Sequence, residues 1–503
     1  MTRHAQQTPW QEFRQNVRPA EWTNPVPAGQ YNLVVVGAGP AGLVAARLAA
    51  GMGGRVALVE RNLLGGDCLN VGCVPTKSLI RTANVCWEID NAESFGTARQ
   101  GPHKLDFKAT MDRLRQIQAE ASRNDSAAAL TRDGIDVYFG ECRFVGRNCL
   151  EVDGQTLTFA KALIATGARQ MPLDIEGAEE AGYLDISGLL ALDELPQRLM
   201  VIGGGPLGTE IAQACCRMGS KVILVHDEPK FLPREERDAA VLLSDSLARD
   251  GIEIRLNTTA TLIEKKGKMR EVTLCSYSDS WTTQVDAILA GIGRMPNVDD
   301  LGLDAVGVEF NRKTGIQVDD FMRTSNRRIF AAGDVCLSHK FTHVAEASAR
   351  IATLNALTVP VHRMSKFVLP WCTYTQPEIA HVGMHVPQAN ASGMDVKTYT
   401  VMMHQVDRSI TDGQHSGFVK VHTLIGSDSI VGATIVANEA GEMINEITLA
   451  MQRGIGLRKI ADVIHTYPTK AMAIRLVAQQ CQKDLVLPLL QRLVGQWLRW
   501  RAG

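Results

Sequence analysis

Two glycine fingerprints constrain this chain more than any other feature, because each stands between an apolar strand run and a helix. Leu33-Val34-Val35-Val36 leads into Gly37-Ala38-Gly39-Pro40-Ala41-Gly42, an alanine-rich helix, and a second strand, Val56–Val59, that ends in Glu60. Met200-Val201-Ile202 leads into Gly203-Gly204-Gly205-Pro206-Leu207-Gly208, a helix, and the strand Lys221–Val225. Such glycines let a pyrophosphate approach the backbone, and the helix N-terminus offers it N–H groups and a positive dipole end. Two units of this kind predict an α/β protein with two Rossmann-like domains and two dinucleotides. Glu60 lies twenty-three residues after Gly37, where an acid accepts from a ribose hydroxyl; His226 lies twenty-three after Gly203. A basic group there suits the 2′-phosphate of NADP. His226, with Lys230 and Arg234 nearby, leans toward NADPH, whereas Asp227, Glu228 and the retained third glycine keep NADH open.

Directly after the first fingerprint comes Gly65-Gly66-Asp67-Cys68-Leu69-Asn70-Val71-Gly72-Cys73-Val74-Pro75-Thr76-Lys77. A regular helix from Cys68 to Cys73 would hold their Cα atoms more than ~7 Å apart, beyond disulfide reach. The run is therefore expected to bend near Cys68, with Gly65, Gly66 and Gly72 supplying the backbone freedom. Eleven cysteines in 503 residues do not make a disulfide scaffold. A cysteine pair in a reducing compartment more often means redox or metal chemistry than a staple.

This stretch resembles the redox-active disulfide of the flavin-dependent pyridine nucleotide–disulfide oxidoreductases, and the resemblance runs from about Tyr31 to Cys481, strongest to mercuric reductase-like members. Leu163–Ala168, Leu289–Asn297 and Arg328–Val335 match further signatures of that family. The resemblance implies FAD in the first site and NADPH or NADH in the second. It implies flavin contacts from Gly37, Gly39, Pro40, Ala41, Gly42, Glu60, Arg61, Gly66, Asp67, Lys77, Cys142, Thr166, Gly167, Asp334 and Ala345, with Glu346 beside the ring. Nicotinamide-nucleotide contacts are implied for Gly203, Gly205, Pro206, Leu207, Gly208, Glu210, His226, Lys230, Arg234 and Gly293. Cys73 would be the charge-transfer thiol and Cys68 the interchange thiol that meets the substrate. Lys77 and Glu210 match an ion pair beside the reactive flavin nitrogen, where a cation stabilises negative charge.

One family element departs. Disulfide reductases carry a histidine–proline–threonine run with a glutamate beyond it, a dyad that protonates the leaving thiolate. Here Tyr467 stands in the histidine's place and Met472 in the glutamate's. A tyrosine with a pKa of ~10 does not shuttle protons at neutral pH as a histidine does. His465 is two residues away, and strand alternation would put it on the same side as Tyr467. A tyrosine here resembles mercuric reductase, whose soft metal substrate suits thiolate ligands. Neither a terminal vicinal cysteine pair nor a CxxC ahead of residue 31 accompanies it; Cys215-Cys216 reads as a helix-face pair and Cys481 as structural. No permanent metal site is expected. The acceptor expected first is Hg(II) or another thiophilic ion. The alternatives are a disulfide, with His465 as acid, or a quinone or dye acting at the flavin.

The expected domains are an arm (1–30), a first FAD part (31–167), an NAD(P) domain (168–293), a second FAD part (294–366), an interface domain (367–483) and a tail (484–503). The resemblance gives the interface domain the role of forming a homodimer and completing the active site across it. The arm, with four prolines, reads as a surface-lying or disordered segment, or one packed on a partner subunit. In the tail, Leu489, Leu490, Leu493, Val494 and Trp497 recur at helical spacing among Arg492, Arg499 and Arg501. It reads as a packed helix, with a membrane-surface contact as the alternative. With 53 basic against 54 acidic residues, nothing suggests nucleic acid as a partner. With no apolar signal segment or 18-residue apolar run, a cytoplasmic location is expected.

Overall fold

The computed structural model describes residues 8–98, 101, 104–277 and 279–502, with side chains 486–493 outside that description. The chain divides into two compact units, one of residues 1–203, 214–222 and 259–366, the other of residues 204–213, 223–258 and 367–503. The division runs through the second dinucleotide fold.

The first unit is built on a mixed sheet. Its strands are β1 (Tyr31–Val36), β2 (Val56–Glu60), β3 (Ile135–Phe139), β4 (Cys142–Gly146), β5 (Cys149–Val152) and β6 (Gln155–Ile164), in the order β3-β2-β1-β6-β5-β4. The β1–β2, β1–β6 and β2–β3 pairs are parallel, and Ile329–Ala331 adds a further parallel partner to β6. β1 is buried at every position except Asn32, as a parallel strand covered on both faces should be. A helix from Pro40 to Gly51 and another from Thr342 to Leu357 pack together beside it. In the same unit Arg198–Ile202 pairs in parallel with Ala287–Ala290, and Thr259–Val285 forms a three-stranded antiparallel meander.

The arm departs from expectation. Pro9–Val17 is a helix with a Thr8–Gln11 capping box, and its Phe13 and Val17 are buried in the core of the same unit. Apolar anchoring within this unit orders it; residues 1–7 of the arm lie outside the described residues.

The second unit carries a five-stranded antiparallel sheet in the order Pro370–Thr373, Glu378–Gly383, Ile430–Ala437, Phe418–Leu424, Val396–Met402. Helices Ala440–Gln452, Leu457–Ala461 and the start of Met472–Ala502 bury one face of it. The tail is the continuation of that last helix. Ile474, Val477 and Cys481 are buried, whereas Val494, Trp497, Leu498 and Trp500 are exposed. The side chains of Leu489, Leu490, Arg492 and Leu493 lie outside the described residues. No described helix is long and apolar enough to cross a membrane.

Gly42 fixes the first fingerprint's geometry, because a Cβ there would lie 1.8 Å from the Gly37 carbonyl oxygen. Gly42→Ala should therefore push the helix off β1 and destabilise the protein by at least ~1–3 kcal/mol. Chemical denaturation should show the midpoint falling; an unchanged midpoint would contradict this packing.

Candidate redox site and dinucleotide cradles

The cysteine run folds as two short-linked helices, Gly66–Asn70 and Cys73–Asp90, joined at Val71–Gly72. The break thus falls just before Cys73, not near Cys68. Gly72 sits where a Cβ would be 2.8 Å from the Asp67 carbonyl oxygen, so only glycine closes this corner. The corner brings the two thiols within hydrogen-bonding reach of each other. Cys73 Sγ lies 3.3 Å from Thr342 Oγ1, at the start of the Thr342–Leu357 helix. The hydrogen bond to Cys73 pushes the Cys68 thiol far up; burial and the Glu346 carboxylate act in the same direction, and Thr342 opposes them. Beside Cys73 the Cys68 thiol therefore resists ionisation. In the single chain Cys73 is exposed and Cys68 half-buried, so exposure alone would not make Cys68 the substrate-facing thiol. A cavity of about 190 Å³ adjoins Cys68, between Leu43, Val74, Thr342 and Glu346.

The first cradle fits a dinucleotide. Gly39 begins the Pro40–Gly51 helix with no side-chain cap, leaving first-turn N–H groups for an anion. A Cβ on Gly66 would lie 2.6 Å from the Gly39 Cα, so the fingerprint and the cysteine helix meet backbone to backbone. The Glu60 carboxylate accepts from Ala38 N at 2.8 Å and Asn62 N at 2.7 Å, and keeps further acceptor positions for ribose hydroxyls. Thr166 and Gly167 are locked to Asn297, whose Nδ2 donates to Thr166 O at 2.8 Å and whose N donates to Gly167 O at 3.0 Å. At Gly333 (φ +76°) an added Cβ would lie 3.3 Å from Ala41 Cβ and 3.2 Å from Ala345 Cβ, so three separate motifs converge there. Asp334 is held up by burial, against Arg294 and Lys340. Arg294 pairs with Asp67 and lies 3.9 Å from Asp334. Cys142 is on β4, its thiol pushed up to about 12 by burial; Arg61 is an exposed residue after β2. Lys77 lies one turn beyond Cys73 on the same helix.

The second fingerprint also opens a helix, Pro206–Arg217. Gly203 has φ +114°, and a Cβ there would lie 2.6 Å from the Gly291 carbonyl oxygen, two residues before Gly293. Glu210 is buried, with Oε1 accepting from Tyr374 N at 2.8 Å. The His226 ring packs over Gly204, its Nδ1 accepting from Gly204 N at 3.4 Å, so this imidazole belongs to the fingerprint loop. Lys230 and Arg234 are exposed on the loop that follows.

Residues 463–471 are not a strand, so the alternation expected for His465 and Tyr467 does not hold. His465 Nε2 lies 2.9 Å from Glu446 Oε1, whereas Tyr467 Oη donates to Asp407 Oδ2 at 2.8 Å. That bond to Asp407 raises the Tyr467 phenol above its ordinary value.

Comparison with known proteins places the whole arrangement. Residues 31–349 match the pyridine nucleotide-disulphide oxidoreductase family model, and residues 369–478 match the dimerisation domain of that family. The chain belongs to this family. The mercuric reductase of Staphylococcus aureus is 30% identical over 457 residues, covering 91% of this chain and 83% of that protein. The dihydrolipoyl dehydrogenase of Thermus scotoductus is 33% identical over 458 residues, covering 91% and 98%. Among solved structures, the Cu(II) complex of the HOCl-induced flavoprotein disulfide reductase RclA from Escherichia coli is 29% identical. It has a TM-score of 0.79 and covers 88% of this chain and 98% of that one. LpdA of Mycobacterium tuberculosis is 28% identical with a TM-score of 0.81, covering 90% and 99%. As a pyridine nucleotide-disulphide oxidoreductase, the chain is a flavoprotein enzyme using FAD and a pyridine nucleotide, and its dimerisation domain indicates a homodimer.

Sequence reasoning missed Thr342, which lies 269 positions from Cys73 and carries no motif of its own. Its hydroxyl and the Glu346 carboxylate act oppositely on the thiols. Glu346→Gln removes a negative charge that disfavours ionisation, so Cys68 should ionise at lower pH; Thr342→Val should shift it higher. The pH dependence of iodoacetamide labelling at Cys68 in the reduced protein measures both. Shifts in the reverse direction would contradict the arrangement.

Proposed function

We propose that this oxidoreductase passes electrons from NADPH, through FAD and the Cys68–Cys73 pair, to a soft thiophilic metal ion, with Hg(II) as the leading acceptor. The observation that carries this is Tyr467. Disulfide reduction needs a proton donor for the leaving thiolate, and a phenol raised further by Asp407 is a poor one at neutral pH. A metal ion needs sulfur ligands instead, and two adjacent sulfurs meet that need. The mercuric reductases among the relatives and the Cu(II) complex of RclA agree with this chemistry.

In this reading bound FAD supplies the two-electron relay between the hydride donor and the disulfide. The S–S bond opens to two sulfurs, Cys68 keeping a proton and Cys73 the negative charge, supported by Thr342. The two sulfurs take the metal ion and close again as it is reduced. The balance is NADPH plus Hg(II) giving NADP⁺, H⁺ and Hg(0). Lys77 is assigned as the cation that stabilises negative charge at the flavin site. The positions of Lys230 and Arg234 support NADPH over NADH.

A second reading, reduction of a disulfide substrate, is favoured by one observation, the His465–Glu446 hydrogen bond. Glutamate orients and supports an imidazolium, so the two have the chemistry of an acid–base dyad.

Steady-state NADPH oxidation with Hg(II) plus excess small thiol, lipoamide, glutathione disulfide or a small quinone separates these readings. Hg(II) should turn over and the disulfides should not, and Cys68→Ser should lower the Hg(II) rate at least ~10²-fold while sparing the quinone. Disulfide turnover that depends on His465 would establish the second reading instead. A Cys68→Ser enzyme with full Hg(II) activity would remove the thiols from the reaction.

A further inference from the structure

The family domain begins at residue 31, yet the segment before it is tied to the first dinucleotide cradle at two points. The first is the loop that follows Glu60. Arg18 Nη1 donates to Arg61 O at 2.5 Å and to Asn62 O at 2.7 Å, and Val17 O accepts from Leu64 N at 3.0 Å. This loop begins at the ribose-accepting carboxylate and ends at Gly65, whose N donates to Ala38 O at 2.8 Å inside the fingerprint. Holding it therefore holds both ends of the cradle.

The second point is β3, the edge strand of the sheet. Asn24 pairs with Phe139 through both amide atoms, Nδ2 to Phe139 O and Phe139 N to Oδ1, each at 2.8 Å. Trp22 Nε1 donates to Val137 O at 3.3 Å and its ring meets Phe139 edge-on. The Arg18 guanidinium lies over the same Phe139 ring, 5.1 Å from its centre. Gly140, the next residue, donates its N to Glu60 O at 3.0 Å. The far end is anchored by buried Phe13 and Val17, by Asn16 to Ser122 Oγ at 2.9 Å and by Glu12 to Arg123 at 2.7 Å.

We propose that Thr8–Asn24 is a strap that positions the adenosine end of the flavin site, with Arg18 as its clasp. Arg18 is a positioning residue: it acts through Glu60 and the Arg61–Leu64 loop. Burial pushes the Glu60 carboxyl up; the Ala38 and Asn62 N–H groups oppose this most, then Arg61 and Arg18, all favouring the ionised form that accepts from ribose hydroxyls. A loop already fixed by the strap does not pay its ordering entropy when the cofactor arrives, which is the usual gain from preorganisation. The inference rests on the family's assignment of FAD to the first cradle.

The test measures FAD release from the holoprotein and FAD rebinding, by flavin fluorescence, for wild type, Arg18→Lys, Arg18→Gln and Asn24→Ala. Melting temperatures are taken with and without FAD. Arg18→Gln should weaken FAD binding ~10-fold, as expected for loss of a charge-assisted hydrogen-bond pair, and Arg18→Lys by less. Asn24→Ala, loosening the other tie, should move affinity in the same direction. The melting temperature without FAD should stay put while the rise produced by FAD shrinks. Unchanged FAD affinity in Arg18→Gln and Asn24→Ala would overturn the strap. So would an equal fall in melting temperature with and without FAD, the mark of a brace for the fold alone. If the wild-type chain neither carries nor takes up FAD, the flavin assignment itself fails and the strap fails with it.

Discussion

The close approach of two glycine backbones, Gly39 and Gly66, is the contact on which the rest of the first unit depends. It sets the start of the cysteine helix against the N-terminus of the fingerprint helix, so that the place for a pyrophosphate and the place for the redox thiols share one rigid corner. A side chain at Gly66 would part them. From that corner the geometry propagates in order: the break at Val71–Gly72 turns Cys73 back toward Cys68, and the Thr342–Leu357 helix supplies a hydroxyl and a carboxylate to the same pair. The electrostatic outcome is a pair in which the Cys68 thiol resists ionisation.

A pair of sulfurs sharing one proton is suited both to receiving two electrons and to ligating a soft ion. At position 467, in the second unit, a phenol is tied to Asp407. His465, two residues before it, is paired with Glu446 instead. A strap ahead of the family domain adds a further layer, since it braces the cradle through backbone carbonyls that any sequence would present.

The fold was legible because its signals are local. Each fingerprint combines an apolar strand, glycines and a helix within about a dozen residues, and the family match confirmed what that pattern implied. The cysteine pair was legible for the same reason, although the corner fell at Val71–Gly72, since Gly72 was the residue with no room for a side chain. The arm was not. Its prolines and polar residues suggested disorder, while its order comes from Phe13 and Val17 entering a core built by residues more than a hundred positions away, such as Ala119 and Leu130. Thr342 was invisible for a similar reason: a lone threonine gains meaning only when tertiary structure brings it to a thiol. The partners of His465 and Tyr467 depended on the absence of a strand at 463–471, which alternating polarity did not reveal.

The central claim is that Cys68 and Cys73 cycle as one two-electron couple. Eleven cysteines are present, so a chain with that pair oxidised has eleven less two, nine, free thiols. Thiol titration of the denatured protein before and after one anaerobic equivalent of NADPH tests the claim directly. The account expects the count to rise from nine to eleven, and the two new thiols to map to Cys68 and Cys73. A count that NADPH leaves unchanged while the flavin is reduced would contradict it.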